Sequence, residues 1–291
     1  MKRIDLHVHT SASDGTTAPQ DIAELACHAG LSAVAITDHD TVSGYESASI
    51  SAAALGLEIV PGIEISTRFN GSVHILGYFI DTHSSHLLPV LNWVVQDRDE
   101  RNERIAALMR ADGIRADYDA MKNRFGEVIG RPHFAELLVD AGLATDIRDA
   151  FARFLNKGCR YWLARNFVPI EDSLGIILRS GGIPVLAHPF QYKLDDAGLR
   201  DLIEHCLDYG LMGLECLYSG YNPEQTSYLQ RLARDYHLIE TGGSDYHGDR
   251  KPDIRLGQGM GGLCVPYDYL EALKETAKSL TRYKEATIHD R

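Results

Sequence analysis

Two histidines separated by one residue, His7 and His9, open the chain within the stretch DLHVHTSASDG, and Asp14 follows five residues later. Side chains at i and i+2 of a strand point the same way, so His7 and His9 present both imidazoles to one side. That is a compact two-nitrogen grip on a metal ion. Asp14 sits in an Asp-Gly step that suits a turn for backbone reasons alone. Similar groups recur far along the chain. Asp38 and His39 close a second apolar run, Glu64 a third, His74 lies on a fourth, and His188 ends a later one. Asp245 and His247 repeat the i, i+2 spacing. Imidazole and carboxylate without thiolate suit Mn²⁺, Fe²⁺ or Zn²⁺. Nine ligands (His7, His9, Asp14, His39, Glu64, His74, His188, Asp245 and His247) exceed what one ion uses. At three or four protein ligands each, they provide for two or three ions sharing a bridging carboxylate.

Such residues act together only if the chain gathers them. The runs Ile4–Thr10, Ala33–Thr37, Leu57–Ile65, Val73–Ile80, Ile183–Ala187, Met212–Leu217 and Leu238–Thr241 are short, apolar and strand-like. Between most of them lie helical patterns: Pro19–Ala29, Ser43–Leu55, Ile170–Ser180, Asp195–Tyr209 and Pro223–Tyr236. Pro19 and Pro223 suit first helical turns, and Gly30, Gly56, Gly181 and Gly210 suit helix ends. The alternation predicts an α/β fold with a mainly parallel sheet. Ionisable residues at the ends of so many strands favour a closed (β/α) barrel, where one rim collects them, over an open sheet. From residue 86 to 165 the alternation stops. Leu87–Met109, Tyr118–Arg124, Pro132–Ala141 and Ile147–Asn156 are helical throughout, which predicts an all-helical insertion into a barrel of residues 1–85 and 166–291. The run QDRDERNER in its first helix is expected to be a solvated face of i, i+4 ion pairs.

Composition bounds the rest. The chain has 291 residues and a formal net charge of −12, which speaks against a broad electrostatic grip on duplex DNA but allows a small anionic substrate. No run approaches the roughly 18 apolar residues of a membrane span, and the first residues lack the apolar core of a signal peptide. Five cysteines with no CxxC pair predict a reducing, cytoplasmic location. No GxGxxG or GxxxxGK[ST] follows a strand, so the common nucleotide-binding loops are absent.

The ordered pattern DLHVHTSASDG, TDHD, GIE, His74, AHP and GGSDYHG resembles the PHP (polymerase and histidinol phosphatase) superfamily of metal-dependent phosphoesterases at essentially every strand end. The resemblance implies a distorted seven-stranded barrel and a trinuclear centre. One ion would be held by His7, His9, Glu64 and Asp245, a second by Glu64, His74 and His188, and a third by Asp14, His39 and His247. Many members have histidine where this chain has Asp14; the harder oxygen ligand leans towards Mn²⁺, with Zn²⁺ or Fe²⁺ as alternatives. GRPHFAELLVDAG and AFARFLNKG, within the insertion, resemble the helical cap of small phosphatases acting on 3′,5′-nucleoside bisphosphates. Arg131, His133, Lys157 and Arg160 would then bind the substrate, and Asp38, Asp245 and His247 are candidates to protonate the leaving group. The implied reaction removes the 3′-phosphate and leaves a nucleoside 5′-monophosphate. Alternatives on the same site are a 5′→3′ exonuclease on short RNA and a histidinol phosphate phosphatase. A metal-barrel amidohydrolase lacks its strand-end lysine here. A regulatory metal-binding module without turnover is the alternative outside enzymes.

Overall fold

A computed structural model describes residues 2–126 and 128–289, with side chains described as far as residue 280. The chain divides into two compact units, one of Met1–Pro89 with Val168–Arg291 and one of Val90–Phe167.

Among the described residues the first unit is built on nine strands: β1 (Arg3–Val8), β2 (Leu31–Ile36), β3 (Glu58–Arg68), β4 (Ser72–Tyr78), β5 (Val168–Pro169), β6 (Ile183–Leu186), β7 (Gly213–Tyr218), β8 (Ile239–Gly243) and β9 (Val265–Pro266). They form one sheet in the order β8-β7-β6-β4-β3-β2-β1-β9, with β5 on β3. The ends of this sheet meet. Asp245 N–H donates to the His7 carbonyl and His9 N–H to that of Tyr246, both at 2.9 Å, so the sheet curls into a nearly closed barrel. Inside, the buried Tyr78 on β4 reaches across to donate to the Leu6 carbonyl on β1, a strand it does not pair with (2.9 Å). The seven strands expected from the sequence become nine because β5 and β9, two residues each, are too short to leave a pattern.

The sheet is more mixed than the alternation suggests. β1–β2, β2–β3, β6–β7 and β7–β8 pair in parallel, but β4 is antiparallel to both β3 and β6. Only three residues, 69–71, join β3 to β4, and a parallel return needs a crossover of a dozen or more. This reversal explains the position of His74. Near the start of an antiparallel strand, it shares a rim with groups at the ends of parallel ones: it lies opposite Ser66 on β3, and its carbonyl accepts the Ala187 N–H just past β6.

Helix α1 (Pro19–His28) packs on β2, and α2 (Ser43–Leu55) on β2 and β3. Ile22, Ala23 and Ala26 of α1 and Ala48 and Ala52 of α2 pack on Val34 and Ile36, the outward set of β2, while Ala33 and Ala35 alternate to the inner cluster.

The second unit is all-helical: α3 (Leu88–Ala111, which begins in the first unit), α4 (Tyr118–Phe125), α5 (Arg131–Asp140), α6 (Ile147–Ala150) and a π-helical turn at Phe151–Leu155. Its core gathers Ile105, Met109, Met121, Ile129, Phe134, Leu138 and Leu155. The charge-dense run in α3 departs from expectation. Gln96 and Glu100 do pair on the exposed side, but Arg98, Arg101 and Asn102 are buried. At i, i+3 and i+4 before Ile105 and Ala106 they share the helix's inward face, and Asn102 is held there by the Ile129 carbonyl (2.7 Å). Helices α7 (Ile170–Arg179), α8 (Asp196–Asp208), α9 (Pro223–Asp235) and α10 (Asp268–His289) return to the first unit.

Closure depends on one glycine. A Cβ at Gly243 would lie 2.3 Å from His7 Cβ and 2.4 Å from His7 N, so β8 can approach β1 only without a side chain there. Gly243→Ala is expected to lose about 3 kcal/mol of unfolding free energy, the upper end for overpacking, measured by urea denaturation; wild-type stability would contradict this closure.

Candidate metal centre

At the rim where β1, β2, β6 and β8 end, backbone geometry aims the ligands inward; Glu64, expected at the end of its strand, lies within β3, which runs on to Arg68. His188 follows β6 with φ 25°, and Asp245 follows β8 with φ 57°. Both are in the left-handed region that non-glycine residues rarely occupy, and such outliers concentrate at functional sites. His7 and His9 come from β1 and the residue after it, both wholly buried. His39 bridges to Glu64 on β3.

Glu64 is the hub. Its Oε2 lies 3.3 Å from His7 Nε2, 3.1 Å from His9 Nε2 and 3.1 Å from His39 Nδ1. Its Oε1 lies 2.9 Å from both His74 Nδ1 and His188 Nε2. Asp245 Oδ1 is 3.4 Å from His9 Nε2 and 3.7 Å from His7 Nε2. Asp14 Oδ1 is 3.2 Å from His247 Nε2 and 3.7 Å from His9 Nδ1. The nine residues singled out from the sequence fall into four overlapping groups whose ligand atoms lie within 4.8 Å of one another: His9–Asp14–His39–His247, His7–His9–Asp245, His7–Glu64–His188 and His39–Glu64–His74. The grouping differs from the expected one, since His39 also faces Glu64 and His74, and His188 pairs with His7.

The donor set fits divalent ions. Ligand atoms of a tetrahedral ion at 2.0–2.1 Å stand about 3.3 Å apart, close to the spacing here. His7 Nε2 and His9 Nε2 face each other at 3.1 Å. His9 Nδ1, His39 Nδ1 and Glu64 Oε2 are buried without a hydrogen-bond partner among the described residues, an arrangement that cations at the rim would satisfy.

Burial and neighbouring charges act against each other at each of these groups. Burial opposes the charged ring of His7, but Glu215 and Glu64 beside it hold its pKa well above the usual imidazole value. Burial likewise opposes His9, yet Asp245 and Glu64 raise it to about 9. At His39 burial wins over Glu64 and Asp14 and lowers the pKa to about 3. Burial penalises the anions of Asp14, Glu64 and Asp245, but the groups around them hold all three well below the carboxylate range: His247 and His39 at Asp14, His39 and His74 at Glu64, Lys251 and His247 at Asp245.

A second set of buried acids holds this frame. Asp5 accepts from the N–H groups of His7, Ser244 and Gly257 and from the Ser244 hydroxyl. Asp38 accepts from Thr10 N–H (2.7 Å), Thr10 Oγ1 (2.8 Å) and Ser13 Oγ (2.5 Å), which pins the loop after β1. Asp40 takes the Ser66 N–H, and Glu215 contacts His7 and the His188 N–H. Tyr218 and Lys251 both donate to Asp245 Oδ2 at 2.6 Å. Of these, only Asp38 and Asp245 had been singled out from the sequence, and Asp38 belongs to none of the four ligand groups. Glu215 sits mid-strand in β7, and an acidic residue inside the apolar run Met212–Leu217 is the sequence signal that marks it.

In the helical unit the four expected substrate-binding residues have different settings. His133 is wholly buried, stacks on Phe125 at 4.8 Å between ring centroids, and accepts the Gly130 N–H at Nδ1; it closes the first turn of α5. Arg160 is clamped by both oxygens of Asp112 at 3.0 Å. Lys157 is exposed. Arg131 lies over the Phe151 ring and beside Arg165; partial desolvation and that neighbouring charge lower its pKa. Arg101 is lowered to about 10 by burial and by Arg165, Arg131 and Arg98, so four guanidiniums share one neighbourhood.

With this geometry in view, comparison with known proteins is direct. The family model of the PHP domain matches residues 5–155. A 5′-3′ exoribonuclease, Rnm, from Escherichia coli is 34% identical over 87% of this chain and 88% of its own length. A 3′,5′-nucleoside bisphosphate phosphatase from Chromobacterium violaceum is 30% identical over 91% and 95%. A solved structure assigned to metal-dependent phosphoesterases, from Bifidobacterium adolescentis, superposes with a TM-score of 0.82 at 30% identity, covering 94% and 95%. The chain belongs to the PHP domain family and is a phosphoesterase, a hydrolase of metal-dependent type. No helix among the described residues is long and apolar enough to cross a membrane.

Imidazoles bind an ion only after losing their protons. Mn²⁺ affinity is therefore expected to rise with pH through about 9, where His9 deprotonates, and uptake at pH 7 to release protons. Calorimetry in buffers of different ionisation enthalpy checks this; uptake without proton release would contradict it.

Proposed function

We propose that this chain hydrolyses the 3′-phosphate of a 3′,5′-nucleoside bisphosphate, leaving the 5′-monophosphate, with two or three divalent ions, Mn²⁺ foremost, held by the nine rim residues. The observation that carries the reading is the gathering of those nine residues into four overlapping ligand groups, with five imidazoles facing the one buried carboxylate of Glu64. When bound, the ions supply Lewis acidity to the phosphoryl oxygens and to the attacking water. The protein's part in phosphoryl transfer is mostly positioning and charge stabilisation. Water oxygen bonds to phosphorus as the P–O3′ bond breaks, and the departing O3′ takes up a proton.

Asp245 and His247 are the groups we place at the reacting atoms. His247 donates Nδ1–H to the Asp245 carbonyl (2.9 Å), which directs Nε2 to the site. Asp245 keeps Oδ1 toward the imidazoles while Tyr218 and Lys251 hold Oδ2. Asp38, whose oxygens take three hydrogen bonds from the β1 loop, we assign a positioning role. For the non-reacting phosphate we keep the cations that the cap resemblance offers. Arg131 is favoured because its planar fork suits a phosphate and the neighbouring Arg165 adds positive charge. Lys157 is a second, exposed contributor. Arg160 and His133 are committed to Asp112 and to the start of α5.

A second reading is favoured by the relatives named exoribonucleases, 32–34% identical. Removal of a 5′-terminal nucleotide from RNA as its 5′-monophosphate breaks the same P–O3′ bond. The two substrates differ only in whether the departing phosphoryl carries another nucleoside. A cytoplasmic location belongs with either reading and is supported by five free cysteines.

With Mn²⁺ present, 3′,5′-bisphosphoadenosine is expected to release phosphate, EDTA to stop it and Mn²⁺ to restore it. Mononucleotides from a 5′-phosphorylated RNA oligomer, with no phosphate from the bisphosphate, would transfer the assignment to the second reading. Turnover that survives full chelation would overturn both. Arg131→Ala should raise KM for the bisphosphate roughly 10- to 100-fold, the value of a charged hydrogen bond. Hydrolysis of a 3′-monophosphate, which lacks the 5′ group, should be unchanged; equal losses on both would remove Arg131 from phosphate binding.

A further inference from the structure

Beyond the nine ligands, one buried carboxylate touches two of them at once. Glu215 on β7 is wholly buried. Its Oε1 lies 2.9 Å from His7 Nδ1, and its Oε2 accepts the His188 N–H at 2.7 Å. We propose that Glu215 is the positioning residue of the metal centre, setting the coordinating tautomer of His7 and the backbone of His188 through a single side chain. The inference rests on the metal-centre reading above.

A carboxylate only accepts hydrogen bonds, so Nδ1 of His7 must be the donor. A proton kept on Nδ1 leaves Nε2 as the ligating nitrogen, and Nε2 is the atom that faces Glu64, His9 and Asp245. Metal-binding histidines commonly have their other nitrogen held this way, which fixes both ring orientation and tautomer. The second oxygen does a different task. His188 adopts φ 25° and ψ 62°, a conformation with little intrinsic favour. Its N–H reaches Glu215 while its Nε2 reaches Glu64 Oε1. The bond to Glu215 therefore holds the bend that brings the imidazole to the rim. His7 belongs to two ligand groups and His188 to one of the same two, so a single carboxylate sets donors at both. Asp5 and Asp38 also hold the rim, but through backbone and hydroxyl donors rather than a ligand ring.

Glutamine at this position keeps the shape and loses one acceptor. In either amide orientation its NH₂ faces an N–H donor, so one of the two bonds is lost. Glu215→Gln in the full chain is expected to bind Mn²⁺ roughly 10- to 100-fold more weakly than wild type in equilibrium dialysis read by plasma mass spectrometry. The melting temperature of the metal-free variant shows whether it has folded. Wild-type occupancy in a folded Glu215→Gln would overturn the inference. Should the variant not fold, the wild-type protein still decides. In its Zn²⁺-loaded form, long-range ¹H–¹⁵N spectra of labelled histidines should show His7 protonated at Nδ1, with the signal assigned by its loss in His7→Gln. Protonation at Nε2 would overturn the inference. Failure of the metal-centre reading looks different: wild type itself would retain no ion, and the inference would fall with it.

Discussion

Five imidazole nitrogens stand within 3.3 Å of the two oxygens of Glu64, a side chain that is 1% exposed. A buried carboxylate in that setting is costly unless positive charge surrounds it, and buried imidazolium is itself costly. Protons resolve the conflict in part: His7 and His9 keep theirs against burial, while His39 loses its own. Divalent ions resolve it more completely, because they bring charge without requiring the imidazoles to be protonated. The rest of the structure can be understood as what holds this charged centre in place.

Holding it requires the fold to work against local preference at several points. His188 and Asp245 sit in left-handed backbone to turn their side chains inward. Gly243 gives up its side chain so that β8 can reach β1. β4 runs against its neighbours, which brings His74 to the rim from the start of a strand rather than its end. Beneath the rim, Asp5, Asp38, Asp40 and Glu215 spend buried carboxylates on N–H and hydroxyl donors of the ligand-bearing segments. The two left-handed residues are each held by a specific hydrogen bond from their own N–H, His188 to Glu215 and Asp245 to the His7 carbonyl, the pattern expected where local rules give way to a functional site.

Much of the site was legible because metal chemistry leaves a mark on residue type. His7 and His9, Asp245 and His247 announce themselves by spacing, and the others by polar residues at the ends of apolar runs. Strand and helix positions followed from the same alternation. What was not legible depends on neighbours remote in sequence. No local pattern shows that β4 reverses, although the brief 69–71 connection constrains it once β3 and β4 are known to be adjacent. The two-residue strands β5 and β9 carry no periodicity. Arg98 and Arg101 looked solvated because charge is usually outside, and only the packing of α3 shows that they face inward. Glu215 and Asp5 lie in apolar strands, where one acidic residue gives no sign of its partners.

Phosphoester hydrolysis at this rim requires that cations occupy it. Anomalous diffraction from crystals grown with Mn²⁺, recorded near the manganese edge, tests that directly. It should show two or three peaks among the nine ligands, with Glu64 contacting more than one of them. Peaks elsewhere on the molecule, or none at the rim at saturating Mn²⁺, would contradict it.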